Sequence, residues 1–202
     1  MEHTESNNGA WITLHLPGYT PESFSAHVLR LEHLFRLNPF LRLDCWQEDG
    51  GALVDGWCVR MHFLNEMNGI EASRQLTWHP LPRGWWLEYD SGWKKTVQLT
   101  WEPYSPSAIT MTLQEFYHPL PEGDAPPFAL QEIDHSLFAW GKAIRRDLLW
   151  RRRFGWVPLL NRYLDWLPTL APAPRRITRL LVWSSFLELL LFCLLLWFLP
   201  GV

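Results

Sequence analysis

Few side chains in this sequence are placed to do chemistry. Ile109, Met111, Leu113 and Tyr117 alternate along one stretch, and Glu115 shares their phase, so a strand here would aim one carboxyl group at the apolar side. Out of water the charged carboxylate loses its solvation, its pKa rises, and it becomes a candidate acid or hydrogen-bond donor. Arg74 shares the alternation of Ile70, Ala72, Leu76 and Trp78 and is the candidate partner. We favour the plainer reading of Glu115, in which it sits in water at the mouth of a cavity or a bulge shifts its phase. Asp134 borders a helical stripe, where a solvated helix flank explains it equally well. No catalytic group is assigned; Glu115 and Arg74 are the candidates.

The motifs that would carry a named reaction are absent. There is no nucleophile elbow, no Walker-type loop, no dinucleotide fingerprint and no HExxH pair. The eight histidines do not pair with Cys, Asp or Glu at zinc-site spacing, and His27 and His33, six apart, face different sides of a helix. The three cysteines, Cys45, Cys58 and Cys193, form no CxxC pair and no disulfide framework. We expect no metal site and no cofactor.

The elements that must position these residues follow from periodicity. Residues 10–16 read as a short strand closed by Pro17-Gly18, and Pro21-Glu22 opens a helical pattern with Phe24, Val28, Leu31 and Phe35 on one face, enough for two short helices. Residues 40–118 alternate with period two. Turn signals break them at Asp49-Gly50-Gly51, at 65–69, at 80–84, at Asp90-Ser91-Gly92 and at 103–106, which predicts six strands. Trp57, Val59, Met61 and Phe63 share a face; Trp85, Leu87 and Tyr89 alternate with Trp86, Glu88 and Asp90; and Trp93, Val97, Leu99 and Trp101 alternate with Lys94, Thr96, Gln98 and Thr100. Trp85 and Trp86 cannot both point inward, and Trp85 is the expected one. After a Pro-rich loop, an amphipathic helix from Phe128 to about Arg152 carries Leu130, Ile133, Leu137, Trp140, Gly141, Ile144 and Leu148 on its stripe and should cover the sheet. Gly141 either opens space beneath the helix or allows a close helix-sheet contact.

Residues 180–199 read LLVWSSFLELLLFCLLLWFL, and twenty helical residues span about 30 Å, the thickness of a bilayer's hydrocarbon core. Arg175, Arg176 and Arg179 flank its start, and Trp183 and Trp197 lie near its ends. The net charge of -3 conceals an asymmetry: residues 1–141 hold 18 acidic and 8 basic residues, while residues 142–179 hold 10 basic and 2 acidic. Such a balance argues against a nucleic-acid partner and favours anionic headgroups near the apolar run. By the positive-inside rule the body should be cytoplasmic on a single-pass C-terminal anchor, and the polar residues 1–9 carry no signal peptide. Pro158 opens a further segment with Leu159, Leu160, Tyr163, Leu164 and Leu167 on one side and Asn161, Arg162 and Asp165 on the other, the pattern of an interfacial helix or of one packed on the domain. Ser184, Ser185 and Glu188 share a face of the apolar helix and suggest a homo-oligomer or a membrane-protein partner.

This order of elements resembles the START-like, or SRPBCC, helix-grip superfamily, which includes polyketide cyclases, aromatase-like proteins and polyprenyl-quinone-binding proteins. HLFRLNPFLRLDCW, around residues 34–46, is similar to the turn from the short helices into the second strand. WWLEYDSGW is similar to a central hairpin, and IDHSLFAWGKAIRRDL to the closing helix. The resemblance covers about residues 10–152 and has no diagnostic catalytic signature; the apolar tail departs from the common soluble form. It implies an α+β helix-grip fold, a curved antiparallel sheet wrapped on a long C-terminal helix, with an elongated apolar cavity between them. The expected organisation is a disordered 1–9, a ligand-binding domain at 10–152, a basic interfacial linker at 153–179 and a transmembrane helix at 180–199.

A cavity lined by Trp57, Met61, Trp101, Met111, Leu113, Glu115, Leu137 and Ile144 would suit a flat or polyprenyl apolar molecule. The leading expectation is therefore a membrane-anchored binding or carrier protein for a lipid, isoprenoid quinone or similar ligand, rather than an enzyme. A polyketide cyclase or dehydratase, and a non-catalytic accessory subunit of a membrane complex with these residues filling a solid core, are the alternatives.

Overall fold

A computed structural model describes residues 9–119 and 135–198. The expected disordered segment 1–9 and the helix residues 128–134, with Leu130, Ile133 and Asp134, lie outside them except for Gly9. The chain begins with strand β1 (Gly9–Pro17), then helices α1 (Pro21–Val28) and α2 (Leu31–Arg36). Six strands follow: β2 (Leu41–Glu48), β3 (Trp57–Asn65), β4 (Ile70–Leu81), β5 (Gly84–Tyr89), β6 (Lys94–Ser105) and β7 (Ala108–Tyr117). Helices α3 (Leu137–Phe154), α4 (Pro158–Trp166) and α5 (Pro172–Phe198) complete it, with a single 3-10 turn at Leu167–Thr169 between the last two.

The seven strands form one antiparallel sheet in the order β1-β7-β6-β5-β4-β3-β2. Helices α1 and α2 thus carry the chain from one sheet edge to the other, and the meander returns to pair β7 with β1. Thr20 starts α1 with a reciprocal cap: its Oγ1 accepts from the Ser23 amide at 3.3 Å, and the Thr20 amide donates to Ser23 Oγ at 3.0 Å. The helices bury Phe24, Val28, Leu31, Leu34 and Phe35 against the sheet. Two indoles meet carbonyls near the helix ends: Trp85 Nε1 donates to Val28 O at 3.0 Å, and Trp140 Nε1 donates at 2.7 Å to Leu34 O, which also accepts from the Leu37 amide.

Alternation placed the inner face correctly. Trp57, Val59, Met61, Leu76, Trp78, Trp85, Leu87, Val97, Leu99, Trp101, Ile109, Met111 and Leu113 are all buried. Trp86 lies on the outer face, stacked on His79 at 4.1 Å. Two expected breaks are shorter than 80–84 and 103–106 because β4 runs through Pro80 and β6 through Pro103. Pairing between β3 and β4 ends at Trp57 and Trp78, and that between β5 and β6 at Gly84 and Thr100, so each proline lies where no second neighbour asks for its missing N–H.

Helix α3 lies against β1 and β7 and buries Leu137, Trp140, Gly141, Ala143, Ile144, Asp147 and Leu148. It begins at Leu137; His135 and Ser136 precede it. Gly141 answers to close approach: a methyl group there would stand 2.8 Å from Ile12 Cγ2 and 3.3 Å from Leu14 Cδ1, so it does not open space beneath the helix. Helix α5 is long and apolar enough to cross a membrane, with a mean hydropathy of 2.2 in its most apolar window and none of that window buried.

Candidate functional site

A bulge decides the polar end of the interior. The β6–β7 register slips between Lys94 and Thr96, so Lys94 pairs with Tyr117 while Val97 pairs with Glu115. Lys95 is the extra residue, and Lys94, which strict alternation assigns to the wet face, turns inward with Tyr117. Glu115 is completely buried, contrary to the reading that left it in water or out of phase. The bulge exists, but it brings a lysine in instead of turning the glutamate out. Lys94 Nζ donates to Glu115 Oε1 at 2.8 Å, and Tyr117 OH donates to Oε2 at 2.6 Å. Both oxygens accept from donors, the arrangement of an ionised carboxylate acting as acceptor.

Lys94 and Arg74 line the same small cavity. It holds about 60 Å³ beneath the sheet's open end, with Phe35, Met61, Phe63 and Trp140 on its apolar side. Arg74 is brought there by pairing with Met61 across β3 and β4, and its guanidinium lies against Gly92, where an added methyl group would stand 3.0 Å from Nε. Asn38 supplies a further polar wall and is itself fixed: its Nδ2 donates to Ser136 Oγ at 2.8 Å and its Oδ1 accepts from the Phe40 amide at 3.0 Å. Ligand pockets of ordinary size enclose about 300–1,000 Å³. This one is therefore a notch with a cationic rim and an apolar back.

The expected ligand-binding residues separate in space. Met61 lines the notch, and Trp57 lines a shallow surface depression beside α2. Trp101 packs edge-on against Phe24 at 5.4 Å. Met111, Leu113, Leu137 and Ile144 lie in the packed core, and Glu115 stands behind Lys94, outside the wall of the notch.

A second polar cluster was missed. Asp147, on the core side of α3, accepts from Arg151 Nε at 2.8 Å and lies 3.3 Å from His33 Nε2; Arg151 also reaches Asp165, which holds Arg30 at 2.9 Å. Burial works against the charge of Asp147, but the bonds from His33 and Arg151 outweigh it and hold the carboxyl below its ordinary range. Burial first, and then Asp147, push the Tyr19 hydroxyl up to about 12; it donates to Leu148 O at 2.7 Å. The Asp147–Arg151 spacing of four was the available signal. On the outer sheet face, Asp44, His62 and Glu71 bring three possible metal ligands within 4.8 Å, but Asp44 is held by Arg42, and His62 by Ser73 and Glu71. All three cysteines are free thiols.

The arginines beside α5 also differ from expectation. Arg175 is buried and donates to Asn38 O at 3.3 Å, Pro168 O at 3.0 Å and Leu170 O at 2.8 Å, and Arg176 pairs with Glu66 at 3.2 Å. Arg175 is thus turned into the body, while Arg176 pairs with Glu66 and stays exposed. Helix α4 is packed on the domain through Asp165, yet it leaves Trp156 beside it 80% and Leu159 76% exposed.

No family model and no curated protein matches the sequence. Solved structures do match in shape. A START superfamily protein from Mycobacterium smegmatis superposes with a TM-score of 0.50 at 9% identity, covering 70% of this chain and 97% of that one. Ara h 8.0201 gives 0.45 at 12% identity, covering 70% and 98%, and the major latex-like protein 151 of Panax ginseng gives 0.44 at 11%, covering 70% and 99%. With seven curved antiparallel strands closed by a long helix, the chain has the fold of the START-like, or SRPBCC, superfamily, a fold that often binds hydrophobic ligands.

Proposed function

We propose that this chain is a membrane-anchored module that binds a hydrophobic ligand, a lipid or isoprenoid quinone, between the sheet and α3. The observation that carries this reading is the divided chemistry of the notch, with Met61, Phe63 and Trp140 at its back and Arg74 and Lys94 at its rim. An amphiphile with an apolar ring or chain and an acceptor-bearing end matches both halves, and flexible Met61 is the side chain that yields to admit it. Helix α5 spans the bilayer and holds the notch near the ligand's source, with the arginine-rich flank on the cytoplasmic side. Ser184, Ser185 and Glu188 form the face on which a second copy or another membrane protein docks. Cyclisation is the weaker reading because Glu115 already accepts two bonds and stands outside the notch.

The test is a lipid extract of the purified full chain, followed by titration with quinone and isoprenoid analogues read by tryptophan fluorescence. Ile70→Trp narrows the notch at a half-buried position. Co-purifying ligand and saturable quenching that Ile70→Trp abolishes are expected; quenching that is absent, or equal in the variant, refutes the reading.

A further inference from the structure

A much larger apolar hollow than the notch lies elsewhere. Where α3, α4 and α5 converge, Trp150, Leu160, Tyr163, Trp183 and Phe186 wall a groove of about 830 Å³, open along one side. Its aromatic wall is continuous: Trp150 meets Trp183 at 6.1 Å, and Trp183 meets Phe186 at 6.2 Å. Trp150, Tyr163 and Trp183 also border a smaller pocket of about 160 Å³, whose other lining includes Arg146, Arg179 and Asp147. Asp147 is engaged with His33 and Arg151. Several neighbouring arginines are likewise engaged: Arg145 with His15 O, Arg151 with two aspartates, Arg175 with carbonyls and Arg176 with Glu66. Among the described residues, Arg146 and Arg179 have neither a hydrogen bond nor an ion pair.

We propose that this junction binds one anionic phospholipid from the surrounding leaflet, with its headgroup phosphate between Arg146 and Arg179 and an acyl chain in the groove. The two guanidinium groups supply the charge and forked donors that a phosphate needs, and the Tyr163 hydroxyl shares their pocket. The groove begins beside that pocket and runs along α5 as far as Phe186, about 10 Å from Arg179 by helical rise, the direction in which α5 would enter the hydrocarbon. Headgroup and chain sites therefore join in the order in which a lipid presents them. This site goes beyond the notch under α3 and does not depend on it.

The full chain, purified in detergent and stripped of lipid, is titrated with phosphatidylglycerol or phosphatidylcholine of the same acyl chains and examined by native mass spectrometry. One phosphatidylglycerol per chain should be retained at least tenfold more strongly than phosphatidylcholine. Arg146→Gln with Arg179→Gln should remove that preference, and Val182→Trp, which fills the groove from α5, should lower retention of both lipids. Excess inorganic phosphate should not displace the lipid, and Ile70→Trp should leave retention unchanged, which separates this site from the notch. Equal retention of the two lipids, undiminished phosphatidylglycerol binding in the arginine variant, unchanged retention in Val182→Trp, or displacement by phosphate would each overturn the proposal.

Discussion

The interior beneath α3 and the junction around α4 are built from similar residues with opposite results. Beneath α3, Ile12 meets Gly141, Phe24 meets Trp101, and the inner face of the sheet is closed down to a notch of about 60 Å³. At the junction, Trp150, Tyr163 and Trp183 enclose a groove of about 830 Å³. The first surface packs sheet against helix and closes except at the notch. The second is completed by a helix suited to hydrocarbon, so its apolar walls need not close on each other. Similar apolar residues thus close up between sheet and helix and stand apart where three helices meet.

Breaking the closed region should have the largest effects. Asp147→Ala leaves the buried Arg151 with Asp165 alone and takes the carboxylate from His33, and should cost about 3 kcal/mol, read by denaturant unfolding. Leu113→Ala empties space in a core where Leu113 is fully buried, at a cost of about 2–5 kcal/mol by the same measurement. Trp85→Phe keeps most of the packing but removes the bond to Val28 O and should cost about 1 kcal/mol. At the open region, Leu159→Ala should change the stability of the body by less than about 0.5 kcal/mol, since Leu159 is 76% exposed. If Leu159→Ala destabilised as much as Leu113→Ala, the contrast between the two regions would fail.

Acid should sharpen the same contrast. Burial, and then Arg151, depress the His27 pKa below its ordinary 6.5, so the unfolded chain binds more protons and stability should fall as pH drops below about 6.5. The contribution of Asp147 is present above the ordinary carboxylate range and is lost as pH falls through its lower folded value. Stability followed from pH 7 to pH 3 should therefore decline in two stages, and Asp147→Asn should reduce the second, to which Asp165, held down by Arg30 and Arg151, also contributes.

Much of the sheet was legible because period two and burial on one face are nearly the same information. Trp85 over Trp86, and the common phase of Ile109, Met111 and Leu113, needed nothing more. The site was harder to read. Lys94 faces inward only because Lys95 is an extra residue in β6, and no local pattern marks a bulge of that kind. The fate of Arg175 depended on Asn38, 137 positions earlier, and that of Asp165 on Arg30, 135 positions earlier. Composition showed a basic segment but not which of its charges tertiary contacts would consume.

The Arg175 contacts bear on how the molecule moves. A body joined to a long apolar helix by loose chain would swing freely about it. Here the Arg175 guanidinium donates to Asn38 O of the body as well as to Pro168 O and Leu170 O of the preceding turn, and Arg176 pairs with Glu66, so α5 is tied to the body at its start. The body is mounted on its helix rather than leashed to it, so the two turn together. The rim of Arg74 and Lys94 therefore keeps one distance and one heading relative to the start of α5.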